Sequence, residues 1–170
     1  MRSNPERNQQ PTACYLASRS ASDRIGGVLF AIHNHPGGFS MEDQQRHYLN
    51  KLAYEIDSWD LKVALESDDK IVVVDARSPD AYRQGHIPGA INIPHRTMSM
   101  ETTSIVDKDS LVVTYCDGIG CNASTKGALQ MLKLGFRVKE LLGGLDWWKR
   151  DQHPVHCEGS SDGQTNCGCG

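Results

Sequence analysis

Two cysteines, Cys116 and Cys121, lie five positions apart in a loop that also holds Gly118 and Gly120. The run Leu111-Val112-Val113-Thr114-Tyr115 before it is short, apolar and β-branched, which predicts a buried strand ending at Cys116. After the loop, residues 123–134 take up helical spacing. Ala128, Leu129, Met131 and Leu132 form the expected apolar side, and Gly135 is placed as a C-terminal cap. A cysteine at a strand end, facing a helix N-terminus, sits among free backbone N–H groups and positive dipole. Both favour a thiolate. Cys116 is therefore the expected nucleophile. Glycines at 118 and 120 would let the loop turn its N–H groups inward. Asp117 adds a negative charge beside the thiol, and Lys126, one turn into the helix, is the nearby cation.

Other residues could do chemistry elsewhere. The string HNHPGGFSMED at 33–43 is similar to the His-x-His-Pro and Ser-x-x-Asp signature of JAMM-type metalloproteins, with His33, His35 and Asp43 as the ligands. That family needs a preceding glutamate and its own sheet, whereas only 32 residues precede His33. A Pro-Gly turn before a helix, with Ser40 as N-cap and Asp43 at N3, is the preferred reading. The tail beyond residue 156 carries Cys157, Cys167 and Cys169 on a Gly/Ser-rich stretch. It reads as a flexible arm with exposed thiols; with His153 and His156 it would make only a loosely spaced metal site. No metal is assigned.

The elements that must position Cys116 can be read in order. Residues 1–40 are an extension, polar in its first 24 residues, with a short apolar run at 26–32. The whole is expected to be largely disordered. Residues 41–54 show helical spacing, with Tyr48, Leu49, Leu52 and Ala53 expected to face the core. Residues 55–57 read as a short edge strand. Ser58 is expected to cap a helix over 59–66 with Leu61, Ala64 and Leu65 inward. The run IVVV at 71–74 reads as a strand covered on both faces. Ser78 and Pro79 open a short helical turn, and Pro88-Gly89 feeds a small strand at 90–93. A last strand is expected over 138–141. Strands separated by helices imply an α/β domain with a parallel sheet.

Composition excludes several classes. Eighteen basic and 21 acidic residues give a net charge of −3, with no like-charge block suited to nucleic acid or a membrane surface. No stretch of 18 apolar residues is present, and the N-terminus lacks a secretory signal pattern. Six cysteines without such a signal point to reactive or metal-binding thiols in a cytoplasmic protein rather than to a disulfide framework.

The string VVVDARSPDAYRQGHIPGAINIPH at 72–95 resembles the front half of a rhodanese-like domain, with its Asp-x-Arg and Gly-His-Ile-Pro-Gly-Ala motifs. The back half agrees: Tyr115-Cys116, then Leu134-Gly135-Phe136, then Gly143-Gly144-Leu145-Asp146-Trp147-Trp148. The resemblance spans residues 56–155. It implies a rhodanese-like α/β fold, a central, mostly parallel sheet of about five strands with helices on both faces. The domain would run over 41–156, with an added N-terminal helix and a tail at 157–170.

For function, the resemblance implies a sulfurtransferase. Cys116 would carry sulfane sulfur as a persulfide between a thiosulfate- or polysulfide-type donor and a thiol or other nucleophilic acceptor. Asp117, Gly118, Ile119, Gly120, Cys121 and Asn122 would form the substrate-binding loop, with Lys126 and Trp147 as candidate pocket lining. In the family, Asp75 and Arg77 mainly tie neighbouring loops together. The loop departs from the commoner family pattern: the place of its terminal arginine falls to Ala123, which disfavours phosphatase chemistry and leaves no loop arginine for an anionic donor. Cys121 is either a resolving thiol or a small packing residue. A thiol–disulfide or redox-sensing protein and a non-catalytic binding module are the alternatives. No cofactor is implied. The expected partners are a small sulfur donor and a thiol or protein acceptor, with no nucleic acid and no membrane, on a monomer or weak homodimer.

Overall fold

The computed structural model describes residues 40–67 and 70–157. The expectations for residues 1–39 and for Cys167 and Cys169 lie outside the described residues. The chain divides into two compact units, Met1–Gln44 and Gln45–Gly170. In the first, the Ser40 hydroxyl accepts the Asp43 N–H at 3.0 Å, the cap expected of it.

In chain order the elements are α1 (Met41–Tyr54), β1 (Glu55–Ile56), α2 (Ser58–Glu66), β2 (Ile71–Asp75) and α3 (Pro79–Gln84). Then follow β3 (Ile91–Asn92), β4 (Leu111–Tyr115), α4 (Ala123–Lys133), β5 (Arg137–Leu141) and α5 (Gly144–Arg150). The five strands make one sheet in the order β1-β5-β4-β2-β3, and every pairing is parallel. This is the α/β architecture expected.

Alternation along the strands builds a core on each face. Val73, Val113 and Tyr115 pack with Leu61 of α2 and Leu145 and Trp148 of α5. Val74 and Val112 pack on the other face with Met131 of α4 and Phe136. Burial of side chains such as Leu61, Val113 and Met131 stabilises by roughly 1.5–3 kcal/mol each. At α3 the Ser78 hydroxyl accepts the Ala81 N–H, with Pro79 in the first turn. Gly135 takes φ +87 after α4, the left-handed turn that suits a glycine.

Three expectations are corrected. Helix α1 buries none of its residues, and Tyr48, Leu49 and Leu52 are exposed. It runs into β1 with no intervening residue, so it has no turn with which to fold back over the sheet. The cap of α2 is Asp57, which accepts the Asp60 N–H at 2.8 Å. Ser58 is buried inside the helix start and donates to Asp151 instead. On α4 the buried stripe is Ala123, Ser124, Gly127 and Met131, while Leu129 and Leu132 are exposed. Gly127 lies on this face. A Cβ there would stand 3.2 Å from both Ala76 and Met98, closer than side chains ordinarily pack, so a glycine eases the close approach of the helix.

Candidate active site

Cys116 follows the last residue of β4, the central strand, and is 1% exposed. Its side chain packs with Ala76, Ala123, Met98 and Cys121. The loop after it is pinned from α5. The Leu145 N–H donates to the Cys116 carbonyl at 2.9 Å, and the Asp146 N–H to the Asp117 carbonyl at 2.7 Å. Gly144, at φ +56, makes this possible: a Cβ there would lie 2.3 Å from the Cys116 carbonyl oxygen. Helix α5 itself was not expected from the sequence. Its signal was the Gly143-Gly144 pair ahead of an amphipathic LDWW segment.

The sulfur has specific neighbours. Cys116 Sγ lies 3.0 Å from the Cys121 carbonyl oxygen, 3.7 Å from that of Gly118 and 3.2 Å from Ser124 Oγ. The loop thus offers carbonyls to the sulfur where inward-facing amides were expected. Ser124, the second residue of α4, supplies a backbone amide. Burial pushes the Cys116 thiol above its ordinary value; the Ser124 hydroxyl and amide work against the rise, and the neighbouring Cys121 thiol adds to it. The expected bias towards thiolate is corrected. In this geometry the cost of desolvating the anion outweighs the hydrogen bonds from Ser124.

Gly118 and Gly120, expected to let the loop turn its N–H groups inward, both lie outside the positive-φ region. Gly118 is there for space, since a Cβ would meet that of Asp146 at 3.2 Å, while Gly120 faces open space.

Two cavities flank the loop. Cys116 opens on the smaller, about 280 Å³, together with Glu55, Ser124, Thr125 and Glu140. The larger, about 630 Å³, lies against Arg77, Asp117, Asp146 and Lys149. Gly118, Ile119, Gly120 and Cys121 wall both; Asn122 lines only the smaller and Asp117 only the larger. Cys116 lines the smaller cavity and not the larger. Lys126 is exposed and lines neither, nor does Trp147; Trp148 is buried and donates its indole N–H to the Pro154 carbonyl.

Arg77 is the cation the sequence placed among structural residues, and its bonds explain that role. It forks onto Asp75, donates to the Gly85 carbonyl at 2.6 Å and holds the Asp117 carboxylate through Nη1 at 2.9 Å. Burial alone would push its guanidinium down, but Asp75 and Asp117 outweigh this and hold it above its usual range. The Asp117 charge is therefore paired rather than left facing the thiol. His86 orders its turn: Nδ1 meets the Tyr82 carbonyl at 2.9 Å, and the ring stacks on Tyr82. Cys157, expected as an exposed thiol, is disulfide-bonded. No cluster of three or more metal-ligating side chains occurs among the described residues.

The rhodanese-like domain profile matches residues 60–151, more than half of the chain. The chain belongs to the rhodanese-like family. A sulfurtransferase from Allochromatium vinosum is 33% identical over 59% of this chain and 92% of that protein. Thiosulfate sulfurtransferase PspE of Escherichia coli is 34% identical over 42% of this chain and 68% of its own length. Of two other curated relatives, the chain spans only 65% and 38% of the length. The crystal structure of the BH2092 protein from Bacillus halodurans superposes with a TM-score of 0.66 at 40% identity, covering 69% of this chain and 87% of that one. No helix among the described residues is long and apolar enough to cross a membrane.

Proposed function

We propose that this rhodanese-like protein is a sulfurtransferase that carries sulfane sulfur as a persulfide on Cys116. The observation that supports this most is the placement of Cys116: at the end of the central strand, beside the first turn of α4, with its sulfur at a small cavity. Cys116 loses its proton and attacks the outer sulfur of a thiosulfate- or polysulfide-type donor. The donor's S–S bond breaks, and sulfite or the shortened polysulfide leaves with the bonding pair. A thiol acceptor then takes the outer sulfur as its own persulfide, and Cys116 departs as thiolate. The absence of a loop arginine, with Arg77 already committed to Asp75, Gly85 and Asp117, disfavours a dianionic donor such as thiosulfate.

Cys121 supports a second, redox reading, because its thiol stands next to that of Cys116 and both are free. Attack of Cys121 on the inner sulfur of a Cys116 persulfide gives a Cys116–Cys121 disulfide and releases hydrogen sulfide. Intact mass after incubation with polysulfide tests the main reading. One added sulfur, removed again by excess thiol and absent in Cys116→Ser, is expected. No gain from any donor, or a gain retained in Cys116→Ser, contradicts it.

A further inference from the structure

Ser124 stands between the reactive sulfur and a carboxylate. Its hydroxyl lies 3.2 Å from Cys116 Sγ and donates to Glu140 Oε1 at 2.7 Å. The Thr125 hydroxyl donates to the same oxygen at 2.8 Å, which fixes the carboxylate from a second side. Glu140 is delivered by β5, whose parallel register sets it opposite Thr114, two residues before Cys116. The backbone is tied as well: Thr114 Oγ1 donates to the Ser124 carbonyl at 3.1 Å.

A serine hydroxyl has one hydrogen to give. Sulfur and carboxylate therefore compete for that hydrogen: donated to the sulfur it steadies a thiolate, and donated to Glu140 it leaves Ser124 facing Cys116 as an acceptor. The two loop carbonyls beside the sulfur are acceptors too, while the Ser124 backbone amide is a donor that Glu140 does not touch. A thiol can donate to such neighbours; a thiolate cannot.

We propose that Glu140 is a positioning residue which, by holding the Ser124 hydroxyl hydrogen, keeps Cys116 a hydrogen-bond donor and so sets the fraction of thiol in the unloaded site. The inference rests on Cys116 being the reactive sulfur, and it goes beyond the family chemistry by assigning control of that sulfur to a strand residue outside the loop. With an apolar side chain at 140, which offers no acceptor, the Ser124 hydroxyl is released to donate to the sulfur, and the thiolate gains a bond and loses a nearby like charge.

The other charged groups around the cavity are accounted for. Glu55, at β1, pairs with Lys51, and Lys139 Nζ donates to the backbone carbonyls of Leu52 and Glu55. Asp117 pairs with Arg77, and Asp146 of α5 pairs with Arg150. Lys126 of α4 is exposed, and the Cys121 thiol is the remaining titratable neighbour in the loop. Among the residues lining this cavity none is Lys, Arg or His. Glu140, joined to the sulfur by one hydroxyl, is the carboxylate with a defined path to it.

The test is the pH titration of thiolate ultraviolet absorbance in the full chain, taken as the difference between each protein and its Cys116→Ala counterpart. Glu140→Met, which removes both the charge and the acceptor for the Ser124 hydroxyl, is expected to move the Cys116 midpoint towards acid by about one pH unit, which is about tenfold more thiolate at neutral pH. In a Ser124→Ala background the same change is expected to move it by less than half as much. Glu140→Asp keeps the charge but withdraws it from Ser124, and is expected to move the midpoint in the same direction. An unchanged midpoint in Glu140→Met overturns the proposal. So does an equal shift with and without the Ser124 hydroxyl, which would mean that Glu140 acts through charge alone. A circular dichroism spectrum matching the native protein guards the comparison against loss of fold. The titration reads Cys116 without any sulfur donor, so its result stands apart from that of the persulfide assay.

Discussion

The two sides of the 117–122 loop are built for different work. On one side lies the larger groove, with Arg77, Asp117, Asp146 and Lys149 on its wall. Its charges are largely spent on one another: Arg77 on Asp75 and Asp117, Asp146 on Arg150. On the other side lies a cavity less than half that volume, where Cys116 meets Ser124, Thr125 and Glu140. The difference teaches that size and charge single out one side and the nucleophile the other. The groove's ion pairs fix the loop, and the small cavity is where the proposed Cys116 chemistry would take place.

The comparison can be broken by mutation. The largest effect is expected at Cys116: Cys116→Ser should abolish persulfide formation outright while leaving the thermal midpoint nearly unchanged. Arg77→Met should instead act on stability. It strips the partner from Asp75, which is fully buried, and removal of one member of such a pair costs about 3–5 kcal/mol. Chemical denaturation would register that loss; a stable variant that merely bound donor less well would move Arg77 into the binding machinery. Lys149→Met should change thiosulfate use by no more than about threefold, as expected for a partly exposed charge that lines the groove and not the cavity of Cys116. A change of a hundredfold would place donor binding in the groove and invert the assignment of the two sides.

A smaller effect follows from the buried thiol. Its folded value lies above the unfolded one, so the folded chain holds this proton more tightly. The contribution is fully present below the unfolded value of about 8.5 and is lost as pH rises from there through the folded value. The urea midpoint should therefore fall between neutral pH and about pH 9.5, and fall less steeply in Cys116→Ser. Tyr115, also pushed up by burial, adds the same trend only at higher pH.

Much of the scaffold was legible because its signals are local. The β-branched run ending at Cys116, the Ser78 cap with Pro79 behind it, and the glycine after α4 each declare themselves within a few residues. What escaped depends on partners distant in sequence. The exposed face of α1 follows from its direct junction with β1, and periodicity alone cannot tell an apolar stripe that finds a core from one that does not. The buried face of α4 meets Ala76 and Met98 at Gly127, a contact between elements. Ser124 and Glu140 are sixteen positions apart and meet only because β4 and β5 pair in one particular register. The expected thiolate failed for a related reason: dipole and loop could be read from sequence, but the depth of burial could not.

One measurement tests the central claim most directly. The protein would be loaded with polysulfide, alkylated, and mapped by peptide mass spectrometry to locate the added sulfur. The account predicts it on Cys116, the thiol of the small cavity. Sulfur carried on Cys121 or another cysteine, with Cys116 unmodified, would contradict it.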